Sequence, residues 1–166
     1  MPAVETDVAK ALDYLTTPVA MITVATKDKR NAMTATRITC ISAKPTLVAV
    51  SIADDRFSHS LIKEAGEFVV NLAAVDQSEL AARIGRTSGR DLDKFAEYSI
   101  SVKSGAKVRS PLIDGCSSNM ECKLVNTFEI GDRTLFVGEV VALHVDEDKP
   151  PLARFYRKYR KLGEQI

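Results

Sequence analysis

Three stretches of this sequence place side chains that can hold a planar, anionic ligand. Asn31-Ala32-Met33-Thr34-Ala35-Thr36 alternates small and hydroxyl residues, which let a ligand lie against a strand and bond to its backbone. The same pattern also describes a strand with one polar face. In Arg56-Phe57-Ser58-His59, Ser58 falls at a predicted helix start, where it either caps the helix or joins the free amides around a phosphate. The segment Arg86 to Phe95 contains the turn Ser88-Gly89-Arg90-Asp91 followed by Lys94. Arg90 and Lys94 there either clamp a phosphate or pair with Asp91 and Asp93.

Other chemistries find little support. There is no G-x-S-x-G elbow, no histidine pair and no Cys–His arrangement for hydrolysis, and G-x-G-x-x-G is missing. His59 and His144 stand apart from each other and from the cysteines, so no metal site is expected. Cys40, Cys116 and Cys122 contain no C-x-x-C pair and are expected to remain thiols, Cys40 either facing a ligand or packing in the core. A net charge of +1, from 23 basic and 22 acidic residues, provides no global field for nucleic acid or an anionic membrane. The amino terminus lacks the order of a signal peptide and no apolar run is long enough to span a bilayer, so a cytoplasmic protein is expected. A chain so sparing of reactive side chains, if an enzyme, borrows a cofactor.

The elements that must position these residues are mostly strands. β-branched residues are dense over Val19 to Thr26 and Ala32 to Ile38, on either side of a polar turn, and Leu47 to Ile52 is almost continuously apolar. Phe57 to Ala65 is predicted helical with Gly66 as its C-cap, and Glu67 to Leu72 is a strand. Asp76 and Glu79 read as a capping box for a second helix ending near Gly85. After a loop-rich stretch from Ser99 to Asn119, Gly131-Asp132 joins two long strands, the first with Cys122, Leu124, Phe128 and Ile130 on its apolar face. Two amphipathic helices are expected at the ends, one through Val4, Val8, Leu12 and Leu15, the other through Leu152, Phe155, Tyr156, Tyr159 and Leu162. The basic face of the second suits either solvent or an acidic redox partner. Six or so strands, without βαβ alternation, suit a closed or nearly closed barrel.

The three ligand-type stretches occur in order with the strands Leu47-Val48-Ala49-Val50-Ser51-Ile52 and Phe68-Val69-Val70-Asn71-Leu72, and with Gly131-Asp132 followed by Thr134 to Val140. Together they resemble the flavin reductase-like FMN-binding family, the split-barrel group that includes flavoredoxins and flavin reductases, from about Pro18 to Leu162. The resemblance implies a mainly β fold, a split β-barrel with a few short peripheral helices, as one domain over residues 1–166. It implies an oxidoreductase that passes hydride or electrons through bound FMN, with FAD as the alternative cofactor. A non-enzymatic FMN electron carrier or flavin-binding module is the alternative function.

Carried residue by residue, Met33, Thr34, Ala35 and Thr36 lie along the isoalloxazine and ribityl chain with Ser51 and Asn71 nearby. Ser58, Arg90 and Lys94 meet the phosphate, and Phe57 and Phe95 either cover the ring or fill the core. No catalytic side chain is assigned. Arg133 stands where many relatives have histidine after Gly-Asp, and Arg37 where many have an aromatic residue. The donor is therefore left open between NAD(P)H, whose 2′-phosphate Arg133 can meet, and a protein such as a ferredoxin. The resemblance also implies a homodimer.

Overall fold

The computed structural model describes residues 3–164. Its frame is a seven-stranded antiparallel sheet in the order β3-β2-β6-β9-β10-β5-β4. The strands are β2 (Ala20–Ala25), β3 (Arg30–Ala35), β4 (Ile38–Ala43), β5 (Thr46–Ala53), β6 (Glu67–Leu72), β9 (Ser118–Ile130) and β10 (Arg133–Val145). β3 and β4 form the two edges without pairing to each other, so the curled sheet is a split barrel and not a closed one. The expected strand Ala32 to Ile38 breaks at Thr36-Arg37, and that break divides the edge strands.

β2 is buried on both faces, which explains its continuous apolar run. Ile22, Ile52, Phe68 and Phe136 pack inside the sheet with Leu61 and Ile62 of α1 (Phe57–Ala65). Val19 and Met21 look outward onto a second core with Ala81 and Ile84 of α2 (Ser78–Arg86), and Phe95 of α3 (Lys94–Glu97). α1 ends at Gly66, whose left-handed φ of 66° suits a residue without Cβ. α2 is preceded by a 3-10 turn, Val75–Gln77, and the side chain that folds back on the chain is Gln77, donated to by Ala74 N, in place of the expected Asp76–Glu79 box. The strand-to-strand turn at Gly131 has a φ of 60°. Register shifts at Val137/Gly138 and Val140/Ala142 bend the β9–β10 ribbon, and a Cβ on Gly138 would run into Phe68 and Cys122.

Several expectations are corrected. The carboxyl-terminal segment is a hairpin, β11 (Leu152–Phe155) and β12 (Lys158–Lys161), and β11 pairs with β1 (Thr17–Pro18). Leu152 is buried there, but Phe155, Tyr156 and Leu162 are exposed, so the helical spacing had no helical face to serve. The amino-terminal segment forms only a 3-10 turn, Val8–Asp13, with Val4, Val8, Leu12 and Leu15 exposed. The apolar alternation of β9 reaches the core at Cys122, but Phe128 and Ile130 project beyond it and are exposed. The loop-rich stretch contains the small ladder β7 (Val102–Lys103) with β8 (Leu112–Ile113). No helix among the described residues is long and apolar enough to cross a membrane.

Candidate functional site

β3 is an edge strand, so alternate backbone groups along it have no strand partner. α2, α3 and the 87–90 turn close over that edge without covering it fully. They leave a cleft of about 350 Å³ whose far wall is Ser51 of β5 and Arg133 of β10. Met33, Thr34, Ala35 and Thr36 form its β3 side, Phe57 and Ser58 its α1 side, and Arg90 and Lys94 its α2–α3 side. The structure thus gathers these residues with Ser51 in one space.

Their roles within it differ. The Thr34 hydroxyl donates to the carbonyl of Ala81 and ties β3 to α2. Asn31 Nδ2 donates to Ser58 Oγ at 2.9 Å, which leaves the Ser58 hydroxyl proton free for an outward acceptor. Asn31 Oδ1 is buried and has no partner, a costly state that a ligand hydroxyl would relieve. A Cβ on Gly89 would collide with that same amide and press on Phe57, so only glycine lets the turn close here.

Lys94 is 3% exposed and donates from Nζ to the carbonyls of Ala32 and Ile84 at 2.8 and 2.9 Å. An ammonium has three protons, so one donor remains for the cleft. Burial, then the charge of Arg56, pushes the Lys94 pKa down to about 8. Arg90 donates from Nη1 to the carbonyl of Asp55 at 2.9 Å and lies 5.5 Å from the centre of the Phe57 ring. Neither Arg90 nor Lys94 pairs with Asp91 or Asp93. Asp93 instead caps α3, accepting from Phe95 N, and bridges to Arg30 at 2.9 Å. Arg30 and Phe95 N also hold the Asp93 carboxyl below its usual range.

Arg37, Arg56, Arg86 and Arg133 also line the cleft, with Asp55 its one carboxylate. Arg37 and Arg133 were noticed in the sequence only as departures from the resemblance. Arg56 and Arg86 belong to the 56–59 and 86–95 stretches, but their convergence depends on the tertiary fold that brings the start of α1 and the end of α2 to one cleft. Phe57 borders the cleft while Phe95 is buried in the outer core, which separates two aromatics that sequence could not tell apart.

Asn71 is not brought to the cleft. Fully buried on β6, it donates to Met21 O and Thr23 Oγ1 and accepts from Ile113 N and Asn119 Nδ2. It thereby joins β2, β8 and β9. Cys40 is exposed and does not line the cleft; Cys116 and Cys122 are buried thiols pushed up to about 12 by burial. His59 contacts Thr134 and Phe136, and His144 contacts Glu121, so both histidines serve packing or loop contacts elsewhere. No cluster of potential metal ligands occurs among the described residues.

The chain is 38% identical over 84% of its length to a protein of Archaeoglobus fulgidus, covering 77% of that chain. It is 32% identical over 86% of its length to an NADH-dependent FMN reductase of Streptomyces nodosus subsp. asukaensis, covering 76% of the relative. In structure, it matches the NADH:FAD oxidoreductase of Streptomyces globisporus with a TM-score of 0.91 at 23% identity, over 99% of this chain and 100% of that one. The model of the flavin reductase like domain matches residues 12–163. With its split sheet and the cleft along β3, the chain belongs to the flavin reductase like domain family.

Proposed function

We propose that the cleft binds FMN and that the chain is a flavin-dependent oxidoreductase of the flavin reductase type. The observation that carries this reading is the meeting, in one cleft, of an open strand edge, a buried unpartnered Asn31 Oδ1 and the cations Lys94 and Arg90, whose bonds go to backbone carbonyls and not to carboxylates. Each feature suits a different part of FMN. The narrow β3 edge, Met33 to Thr36, suits a planar ring whose rim bonds to backbone groups. Asn31 Oδ1 suits a ribityl hydroxyl. The free proton of Ser58, the third proton of Lys94 and the guanidinium of Arg90 suit the phosphate. FAD, the alternative cofactor, shares with FMN the ring, the ribityl chain and the first phosphate that these groups suit.

When bound, the flavin supplies the acceptor and donor of hydride or electrons. The chain's own residues orient and enclose it. Phe57 covers one side of the cleft, Thr34 holds α2 against β3, and the surrounding cations lower the cost of gathering negative charge during reduction. The homodimer is part of the proposal: exposed Phe128 and Ile130, at the turn end of the β9–β10 ribbon, offer an apolar patch suited to burial by a second copy.

The test is NAD(P)H oxidation with FMN in large excess. A reductase turns over many equivalents of FMN per protein. Reduction that stops at one equivalent, or none, contradicts the reductase and leaves the electron carrier or binding module.

A further inference from the structure

A single flavin phosphate does not account for the charge of this cleft. Lys94 and Arg90 face it from the α2–α3 side, and they match the roughly two negative charges of a phosphate monoester near neutral pH. Across the cleft stand two more cations, Arg37 in the link between β3 and β4 and Arg133 at the start of β10. Both adjoin Ser51, Arg133 through its guanidinium and Arg37 through its backbone. Arg133 donates from Nε to Ser51 Oγ at 2.8 Å and from Nη2 to the Ser51 carbonyl at 2.9 Å. Ser51 N in turn donates to the Arg37 carbonyl at 3.0 Å.

The bonds of Arg133 go to neutral acceptors, so they aim the guanidinium without cancelling its charge. Nη1 takes no part in them. Among the described residues neither Arg37 nor Arg133 has a carboxylate within ion-pair distance. Burial and the neighbouring charges of Arg37 and Arg56 lower the Arg133 pKa, although Asp132 and Asp55 offset part of this. The Arg133 guanidinium, held at the cleft wall without a counter-charge, and the exposed Arg37, near enough for its charge to act on Arg133, make an anion subsite.

We infer that Arg133 and Arg37 take the 2′-phosphate of a phosphorylated nicotinamide nucleotide, which makes NADPH the preferred donor. This deepens, and rests on, the reading of the cleft as a flavin reductase site. A monoester concentrates about two negative charges on one group, as a pair of guanidinium groups requires. The second phosphate of FAD does not fit the assignment as well, because it is joined to the first and stays near Lys94 and Arg90.

The test compares adenosine 2′,5′-bisphosphate with adenosine 5′-monophosphate by calorimetry on FMN-loaded protein, with FMN and FAD affinities measured on the same preparations. The bisphosphate is expected to bind tighter by roughly tenfold or more, the size of one strong charge-assisted bond. Arg133→Ala brings the ratio close to one, and Arg37→Ala lowers it in part. A ratio near one in the unaltered protein, no binding of either nucleotide, or a ratio unchanged by Arg133→Ala overturns the assignment. A loss in Arg133→Ala confined to FAD relative to FMN also overturns it and assigns the subsite to the flavin's own second phosphate. Failure to take up FMN contradicts the flavin reading instead. The nucleotide titration, repeated on the protein alone, still reports on the arginines.

Discussion

Glu67 and Glu121 are as deeply buried as Lys94, yet the two regions treat buried charge differently. Glu121 accepts from the backbone N–H groups of Ala106, Lys107 and Val108 and contacts His144. Glu67 accepts from Arg109 N and Ser110 N and pairs with Lys123 at 2.7 Å. The carboxylates thus tie successive amides of one loop to β6 and β9. Burial alone would raise both pKa values, but these donors outweigh it and hold both groups below the usual range. Around Lys94 the inventory is incomplete: an ammonium proton, the Ser58 hydroxyl proton and the Asn31 carbonyl oxygen all lack partners from the chain. Fully answered charge fastens a loop, whereas charge left partly unanswered beside a cleft marks a place for a ligand.

The contrast breaks most visibly at Glu121. Glu121→Ala orphans three backbone amides, that of buried Val108 among them, and is expected to cost about 3 kcal/mol in urea unfolding, with little change in FMN affinity while the protein is folded. A loss below about 1 kcal/mol, or a collapse of FMN affinity, would erase the distinction between the two regions. Because the folded-state pKa values of Glu67 and Glu121 are lowered, their stabilisation is complete above the usual value of 4.5 and is lost as the pH falls through the folded values.

Lys94 gives a smaller effect of the same sign in a higher pH window. Its folded pKa is depressed to about 8, so the unfolded chain holds more protons between there and 10.5, and the ligand-free protein gains stability as pH rises through that window. Phosphate binding favours the charged ammonium, so FMN affinity is expected to fall above about 8, approaching tenfold per pH unit. Lys94→Met removes that slope as well as weakening binding. Equal pH profiles for the two proteins, measured by fluorescence titration, would take Lys94 out of the site.

The parts of this fold legible in sequence are those whose cause is local. α1, its glycine cap and β6 follow from neighbouring residues, as does the turn at Gly131. The carboxyl-terminal hairpin was not legible, because its turn uses Tyr156 and Arg157 at φ values of 50° and 61° without the usual glycine or asparagine. Pairing of β11 with β1, distant in sequence, overrides the helical spacing there. The same division runs through the site. The β3 stretch and the 87–90 turn were recognisable as motifs, but Asn71 has the composition of a ligand residue and is spent on Met21, Thr23, Ile113 and Asn119. Which polar groups remain free depends on partners brought together by the tertiary fold.

The central claim is that the cations beside β3 hold the flavin's phosphate. The direct measurement is the affinity of FMN and riboflavin for the unaltered protein and for Arg90→Ala, since riboflavin has the ring and ribityl chain without the charge. FMN is expected to bind more tightly than riboflavin, and Arg90→Ala to weaken FMN by about tenfold while leaving riboflavin nearly unchanged. Equal affinity for both ligands in the unaltered protein, or equal losses on substitution, would contradict the account.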